Sequence, residues 1–336
     1  MTNTSSLPAS LAPMAGYTDS AFRRICGELG AVYAVSEMIS AEALTRSDRE
    51  TAELSKIGEG EPPVVLQIFG RDPGVMARAA DLLLSGNYPG CSYAAPPAGI
   101  DINMGCPVRK IVSNGEGSAL MLDPDRAERI AAAVKEVCLK YGVPLSVKIR
   151  MGWDSLTAPE FSKILARAGV DRITLHCRTR AQMYMPSADP EAARITLSAL
   201  REEECGRRIL FTGNGDVCSP ESARVYLDMG CGDVAVGRAA LGDPWLFRRL
   251  KDPENAVPPT PAEIRETVIR LVEESAREKG EIRGIRESRS RAAYFIRGMR
   301  GSAALRDKLN RAESLGEFLR LVEEFRFPGE SGVASR

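Results

Sequence analysis

The chain has 336 residues, 44% of them hydrophobic, and carries 45 Lys+Arg against 45 Asp+Glu. That length allows one large domain or two, and the balanced charge singles out no class of partner. No apolar run approaches the ~18 residues of a membrane span, and the first six residues lack the charged-then-apolar layout of a signal peptide. A cytoplasmic protein without a membrane partner is therefore the default expectation.

Short apolar runs ending in glycine or polar residues alternate with helical patterns. Eight runs read as strands: residues 11–14, 31–35, 64–69, 100–103, 145–150, 172–176, 209–212 and 233–236. Between them, Asp72-Pro73 opens a helix reaching Leu84, and Asp123 caps one that starts at Pro124 and runs to Tyr141. Ser219-Pro220 opens a third, closed by Gly230. An N-cap followed by proline at the first helical position, and glycine past the end, are the expected start and stop signals. Eight strands alternating with helices over about 230 residues predict a (β/α)8 TIM barrel rather than an open doubly wound sheet. The stretch from Gly86 to Gly99 interrupts the rhythm and reads as a surface insertion with no assigned function.

Beyond Trp245 the strand signals stop. Prolines 253, 258, 259 and 261 mark a linker, and the pattern predicts helices over 262–279, 288–299 and 314–325. The expected organisation is a barrel domain over 1–250, a linker over 251–261 and a small helical domain over 262–336. From Arg265 to Arg311 there are 13 Lys+Arg against 7 Asp+Glu. Arg283, Arg286, Arg289, Arg291, Arg297 and Arg300 are interleaved there with Tyr294 and Phe295. Such a run is either a solvated helical face or a footprint for a polyanion.

In a barrel of this kind the chemistry sits at the strand C-termini. The first strand ends in Pro13-Met14-Ala15-Gly16, the third carries Gln67, and the fourth Asn103 and Cys106. Cys106 follows Gly105 and precedes Pro107, which locks its own φ and holds the cysteine out of helical geometry. It is either an inert buried thiol or a presented, reactive one. The fifth strand carries Lys148 and Arg150. A lysine on a buried strand needs an anionic partner, which is either a structural carboxylate or a cofactor. His176, the only histidine, ends the sixth strand and is either a satisfied core group or a donor to a ligand. Gly213-Asn214-Gly215-Asp216 and Gly237-Arg238 end the last two strands, where backbone N–H groups and an arginine suit a phosphate. The eight cysteines are scattered without metal-like spacing and read as reduced thiols; no metal site is expected.

Taken in order over roughly residues 10–250, these motifs resemble the tRNA-dihydrouridine synthases, and more narrowly their bacterial B-type members. The matching runs are Ala12-Pro13-Met14-Ala15-Gly16-Tyr17-Thr18-Asp19, Gln67-Ile68-Phe69-Gly70, Asp101-Ile102-Asn103-Met104-Gly105-Cys106-Pro107 and Val147-Lys148-Ile149-Arg150-Met151-Gly152. His176-Cys177-Arg178-Thr179-Arg180 with Gln182 and Tyr184, and the two glycine turns, complete them. The resemblance implies a flavoenzyme that reduces the C5=C6 bond of particular uridines in tRNA, with FMN across the barrel mouth and NADPH, or NADH, as reductant. It implies that Pro13, Met14, Ala15 and Gln67 contact the flavin ring, that Lys148 and His176 hold its ring and ribityl side, and that Asn214, Gly215, Asp216, Gly237 and Arg238 hold its phosphate end. Flavin N5 delivers hydride to C6, and Cys106 is the general acid that protonates C5. Asn103, Arg178 and Arg180 hold the uracil and its backbone, and Arg286 and Arg289 of the helical domain grip the tRNA. A monomer is expected.

The chain departs from the family pattern in places. Met185-Pro186-Ser187-Ala188-Asp189-Pro190 stands where the family has a glycine and then Ala-Asp-Trp, so a proline replaces the tryptophan. Cys177 replaces a glycine, the stretch from Gly86 to Gly99 is longer, and Glu287-Ser288-Arg289-Ser290 stands for a Met-Arg-Lys-His-like run. These changes leave the flavin residues intact and fall on tRNA-facing parts. Two alternatives remain: a flavin barrel oxidoreductase acting on a small pyrimidine-like substrate, which has no need of arginine-rich helices, and a tRNA-binding module without catalysis, which has no need of Cys106, Lys148 and the phosphate turns.

Overall fold

The apolar runs do form strands, and the computed structural model, which describes residues 6–329, arranges them as one parallel sheet closed on itself. The ends of the expected barrel and helical segments, residues 1–5 and 330–336, lie outside the described residues. The strands are β1 (Ala9–Leu11), β2 (Ala34–Val35), β3 (Ile39–Ser40), β4 (Val64–Phe69), β5 (Gly99–Met104), β6 (Leu145–Gly152), β7 (Arg172–Thr179), β8 (Leu210–Asn214) and β9 (Asp233–Val236). Leu11 registers with Ala34 on one side and Val236 on the other, and Ala34 registers with Val64, which completes the ring.

The strands differ from expectation in three places. β1 ends two residues before Pro13, which has no N–H to give to a ladder; the last bond is from Ala12 N to Val236 O at 2.8 Å. Pro13 and Met14 are thereby released into the loop at the mouth. The second barrel position is shared by β2 and β3, parted at Ser36-Glu37-Met38. There the Ser36 hydroxyl, not a backbone carbonyl, accepts Gln67 N at 3.0 Å. β6 and β7 run on past Arg150 and His176 through an irregularity between Arg150 and Gly152, which carries Arg178 into the sheet.

Side chains alternate across a strand. Ile100, Ile102, Val147, Ile149, Ile173 and Leu175, all fully buried, pack toward the outer helices. The positions between them point into the barrel and are polar. Arg172 is bonded to Asp233 and Thr212 in one layer and lies over the Tyr33 ring at 4.9 Å. Gln67, Asp101 and Ser146 are bonded to one another nearer the mouth. The interior is thus a hydrogen-bonded polar core, not the layered branched aliphatics common in this fold.

The helix Pro124–Tyr141 starts and stops as expected, with Asp123 accepting Arg126 N and Gly142 left-handed. Its buried face is Ala127, Ile130, Ala131, Val134 and Cys138. The stretch from Gly86 to Gly99 is packed against the barrel. Tyr88 OH bonds to Tyr93 OH at 2.6 Å and to Ser55, and Tyr93 bridges to Ile57 as a parallel partner.

Residues 252–260 have no regular structure, and four helices follow: Pro261–Lys279, Glu281–Phe295, Ser302–Leu309 and Leu315–Glu323. The second begins seven residues before the expected start. Gly284, which argued against a helix there, is needed because the helices cross closely: a Cβ on it would meet Ala276 Cα at 2.5 Å. Trp245 anchors this region to the barrel, its Nε1 donating to Glu263 at 2.9 Å and its ring meeting Phe295 edge-on at 5.9 Å.

Candidate active site

The sheet registers set the mouth. Asn103 pairs with Lys148 and Lys148 with Thr174; one row further out, Arg150, His176 and Asn214 stand side by side. Four strands therefore bring the polar residues singled out in the sequence into one opening.

Cys106 is fixed from three sides. Asn103 Oδ1 accepts Gly105 N at 3.1 Å and Cys106 N at 2.9 Å. Asn103 Nδ2 donates to Gln67 Oε1 at 2.9 Å, and Gln67 Nε2 to Asp101 Oδ2 at 2.7 Å. Behind the turn, Ser118 N and Oγ donate to Cys106 O at 3.0 and 2.9 Å. Arg150 Nε donates to Gly105 O at 2.9 Å, while its Nη1 holds Thr179 O and Met183 O, each at 2.8 Å. Burial pushes the Cys106 thiol up; the Val108 amide, Arg150 and Lys148 pull the other way without cancelling it. Arg109 and Lys110, three and four positions on, are exposed.

Lys148 is half-buried, and among the described residues its ammonium makes no hydrogen bond or ion pair. Burial, then Arg150, lower it to about 8 against the weaker pull of Asp101. His176 is 8% exposed. Burial, then Lys148 and three arginines, push its imidazole far down, so the ring is neutral. Arg178 Nη1 lies 3.2 Å from its Nε2. An arginine only donates, so Nε2 is the acceptor and Nδ1 carries the hydrogen.

Arg178, expected at the substrate, is turned inward. It is 2% exposed and bonded to His176, Asp216 and, at 2.7 Å, Pro186 O. Asp216 accepts Arg178, Arg238 at 3.1 Å and Ala188 N at 2.9 Å, so its carboxylate aims two arginines. Gln67 and Asn103 are likewise buried and committed to the Cys106 turn. Pro13 and Met14 are half-buried and Ala15 is exposed at the opening. Met14 Sδ comes within 3.8 Å of where a Gly237 Cβ would stand. At Gly215, φ +126, a side chain would meet Ala188 Cβ at 2.7 Å, so only glycine keeps that turn open. Asn214 Nδ2 donates to Ala235 O at 2.7 Å. At the rim, Arg238 lies over the Tyr184 ring at 4.8 Å and Arg180 over Trp153 at 4.6 Å.

The helical domain's arginines divide. Arg286 is exposed; Arg289 is half-buried and donates to Ala312 O at 2.7 Å. Arg283 is tied to Glu53 and Glu287. Arg291, counted in the basic run, is 3% exposed and bonded to Asp19, so it belongs to the seam with the barrel.

Sequence reasoning missed Asp101, Ser118 and the pinning role of Arg150. A charged residue inside an apolar strand run was the signal for Asp101. Ser118 offered none, because its partner lies 12 positions away along a turn.

This fold and mouth define a barrel enzyme whose chemistry is built on the strand C-termini. The sequence matches the dihydrouridine synthase (Dus) family over residues 10–327. It is 32% identical over 321 residues to a probable tRNA-dihydrouridine synthase of Treponema pallidum, covering 93% of this chain and 91% of that one. It is 34% identical to proteins named tRNA-dihydrouridine synthase B from Pseudomonas putida and Xanthomonas axonopodis, covering 90% and 94% of this chain and 86% and 91% of theirs. The chain belongs to the dihydrouridine synthase family.

Proposed function

We propose that this chain reduces the C5=C6 bond of uridine in tRNA to 5,6-dihydrouridine, with FMN at the barrel mouth and NADPH, or NADH, as reductant. The observation that carries the reading is that Cys106, a thiol pushed up by its burial, shares the mouth with Lys148, an ammonium without a partner among the described residues.

The residues present fit FMN. Lys148 offers an unpaired cation where a reduced flavin ring carries negative charge, and His176 offers its Nδ1–H. Pro13, Met14 and Ala15 would lie against the ring. Gly215, Gly237 and Arg238 would hold the phosphate, with Asn214 supporting the turn and Asp216 aiming Arg238. Bound there, FMN would supply the hydride for C6, with the nicotinamide reductant as its source of electrons. Cys106 gives its proton to C5 as C6 gains hydride, and the thiolate left behind is steadied by Arg150 and Lys148 until it is reprotonated. Gln67 and Asn103 keep the thiol aimed through the turn; Arg178 fixes the histidine tautomer.

Uracil C5 is inside the stack, so the base must leave the tRNA fold to reach Cys106. Arg180 at the rim, and Arg286 and Arg289 on the helical domain, suit phosphate contacts around it. The helical domain's contact with the loop after β1 favours a large substrate spanning both parts over a small pyrimidine. Incubation with unmodified tRNA, FMN and NADPH should add two hydrogens to a uridine, read by nucleoside mass spectrometry, and Cys106→Ala should bind FMN but add none. Equal turnover by the alanine variant would remove Cys106 as the acid.

A further inference from the structure

The two peptide units that meet at Gly16 are held from opposite sides. The Gly16 N–H donates to Glu37 Oε2 at 2.5 Å on the barrel, and its C=O accepts Arg291 Nη2 at 3.1 Å from the helix Glu281–Phe295. The same guanidinium gives Nη1 to Asp19 Oδ2 at 2.6 Å. Asp19 also accepts Lys279 and caps the helix Ser20–Glu28 through Phe22 N, so this anchor does not drift. Gly16 itself has φ +81 and nothing within 4 Å of its Cβ direction, and beside it Tyr17 meets the Tyr294 ring of the helix Glu281–Phe295 edge-on at 5.8 Å. The loop moves with it: Thr18 Oγ1 bonds Met14 N at 3.1 Å, and Tyr17 N bonds Met14 O at 3.0 Å. Met14 and its neighbours form one edge of the mouth.

We propose that Arg291 is a positioning residue through which the helical domain sets the pose of the Pro13–Gly16 edge of the mouth; its effect on FMN, though not on the loop, rests on the flavin reading above. Coupling of this kind is reciprocal. Strain on the helix Glu281–Phe295, as when RNA loads it, reaches the flavin edge, and loading of the mouth stiffens the seam.

The test compares Arg291→Lys and Arg291→Met with Arg270→Met. Arg270 bonds Glu28 across the same seam without touching Gly16. Lysine keeps a cation for Asp19 but loses the two-nitrogen fork that reaches Asp19 and Gly16 O together, so this variant should fold where methionine fails. Two readouts are taken on the full chain: the FMN dissociation constant, and the Met14 resonance of flavin-free, methyl-labelled protein, identified by its loss in Met14→Leu. Arg291→Lys should move the Met14 resonance and weaken FMN about tenfold, the weight of one charge-assisted hydrogen bond. Arg270→Met should change neither. An unmoved Met14 resonance in Arg291→Lys, or the same change in Arg270→Met, would overturn the proposal. A parent protein that takes up no FMN while Met14 still moves in Arg291→Lys would sink the cofactor reading and leave the positioning role standing.

Discussion

Lys148→Met separates what the mouth costs the fold from what it offers a ligand. The ammonium sits half-buried without a partner among the described residues and is lowered from 10.5 to about 8, chiefly by burial. A cation with a depressed folded value destabilises the native state at neutral pH, where both states are protonated. The penalty disappears as pH rises from about 8, where the native amine loses its proton, toward 10.5, where the unfolded one does. At 1.36 kcal/mol per unit, that is a cost of about 3 kcal/mol at pH 7, and partial solvent access makes this an upper figure. Methionine fills similar volume without the charge. The flavin-free variant should therefore be more stable than the parent at pH 7 by up to about 3 kcal/mol in denaturant titrations, and the gap should close by pH 10.5. The same variant should bind FMN at least about tenfold more weakly, having lost the cation opposite the flavin. A flavin-free variant that is less stable than the parent at pH 7, with FMN affinity retained, would refute the reasoning.

The seam and the Cys106 turn give further tests. At Gly117, φ +60, an added Cβ would stand 2.8 Å from Cys106 O, so Gly117→Ala should cost about 1–3 kcal/mol and lower uridine reduction more than FMN binding. Asp19 resists the upward push of its burial because Arg291 and Lys279 hold it at about 2. Its stabilisation is present above about 3.9 and is lost as pH falls toward 2. Asp19→Ala, which leaves Arg291 buried without its anion, should cost about 3–5 kcal/mol in thermal or denaturant unfolding. Arg286→Glu should weaken tRNA binding and reduce the salt slope by about 1 or more while leaving FMN bound; an unchanged slope would take Arg286 out of the RNA footprint.

Much of the barrel was legible because its signals are local. An apolar run ending in glycine marks a strand whichever neighbours it finds, and Asp123-Pro124 or Ser219-Pro220 marks a helix start by itself. What failed depends on partners distant in sequence. The split between β2 and β3 follows from the Ser36 hydroxyl taking the Gln67 amide. The early start of the helix Glu281–Phe295 follows from Gly284 meeting Ala276. The helix Ser302–Leu309 was missed because it buries only Leu305 and Leu309, too little to leave a periodic stripe. At the site, the residue types at the strand ends were readable, but their division of labour was not. Arg178, Gln67 and Asn103 look like ligand contacts in the sequence, and each also carries hydrogen bonds within the protein that the sequence did not show. Arg291 looks like part of a basic surface, and its partner Asp19 lies 272 positions away.

The account stands most directly on an anaerobic absorption titration of the purified full chain with FMN. NADPH should bleach the flavin band, and unmodified tRNA should then restore it, with dihydrouridine formed in step. A band that bleaches with NADPH but is not restored by tRNA would contradict tRNA as the substrate, and a protein that takes up no FMN would contradict the reading of the mouth itself.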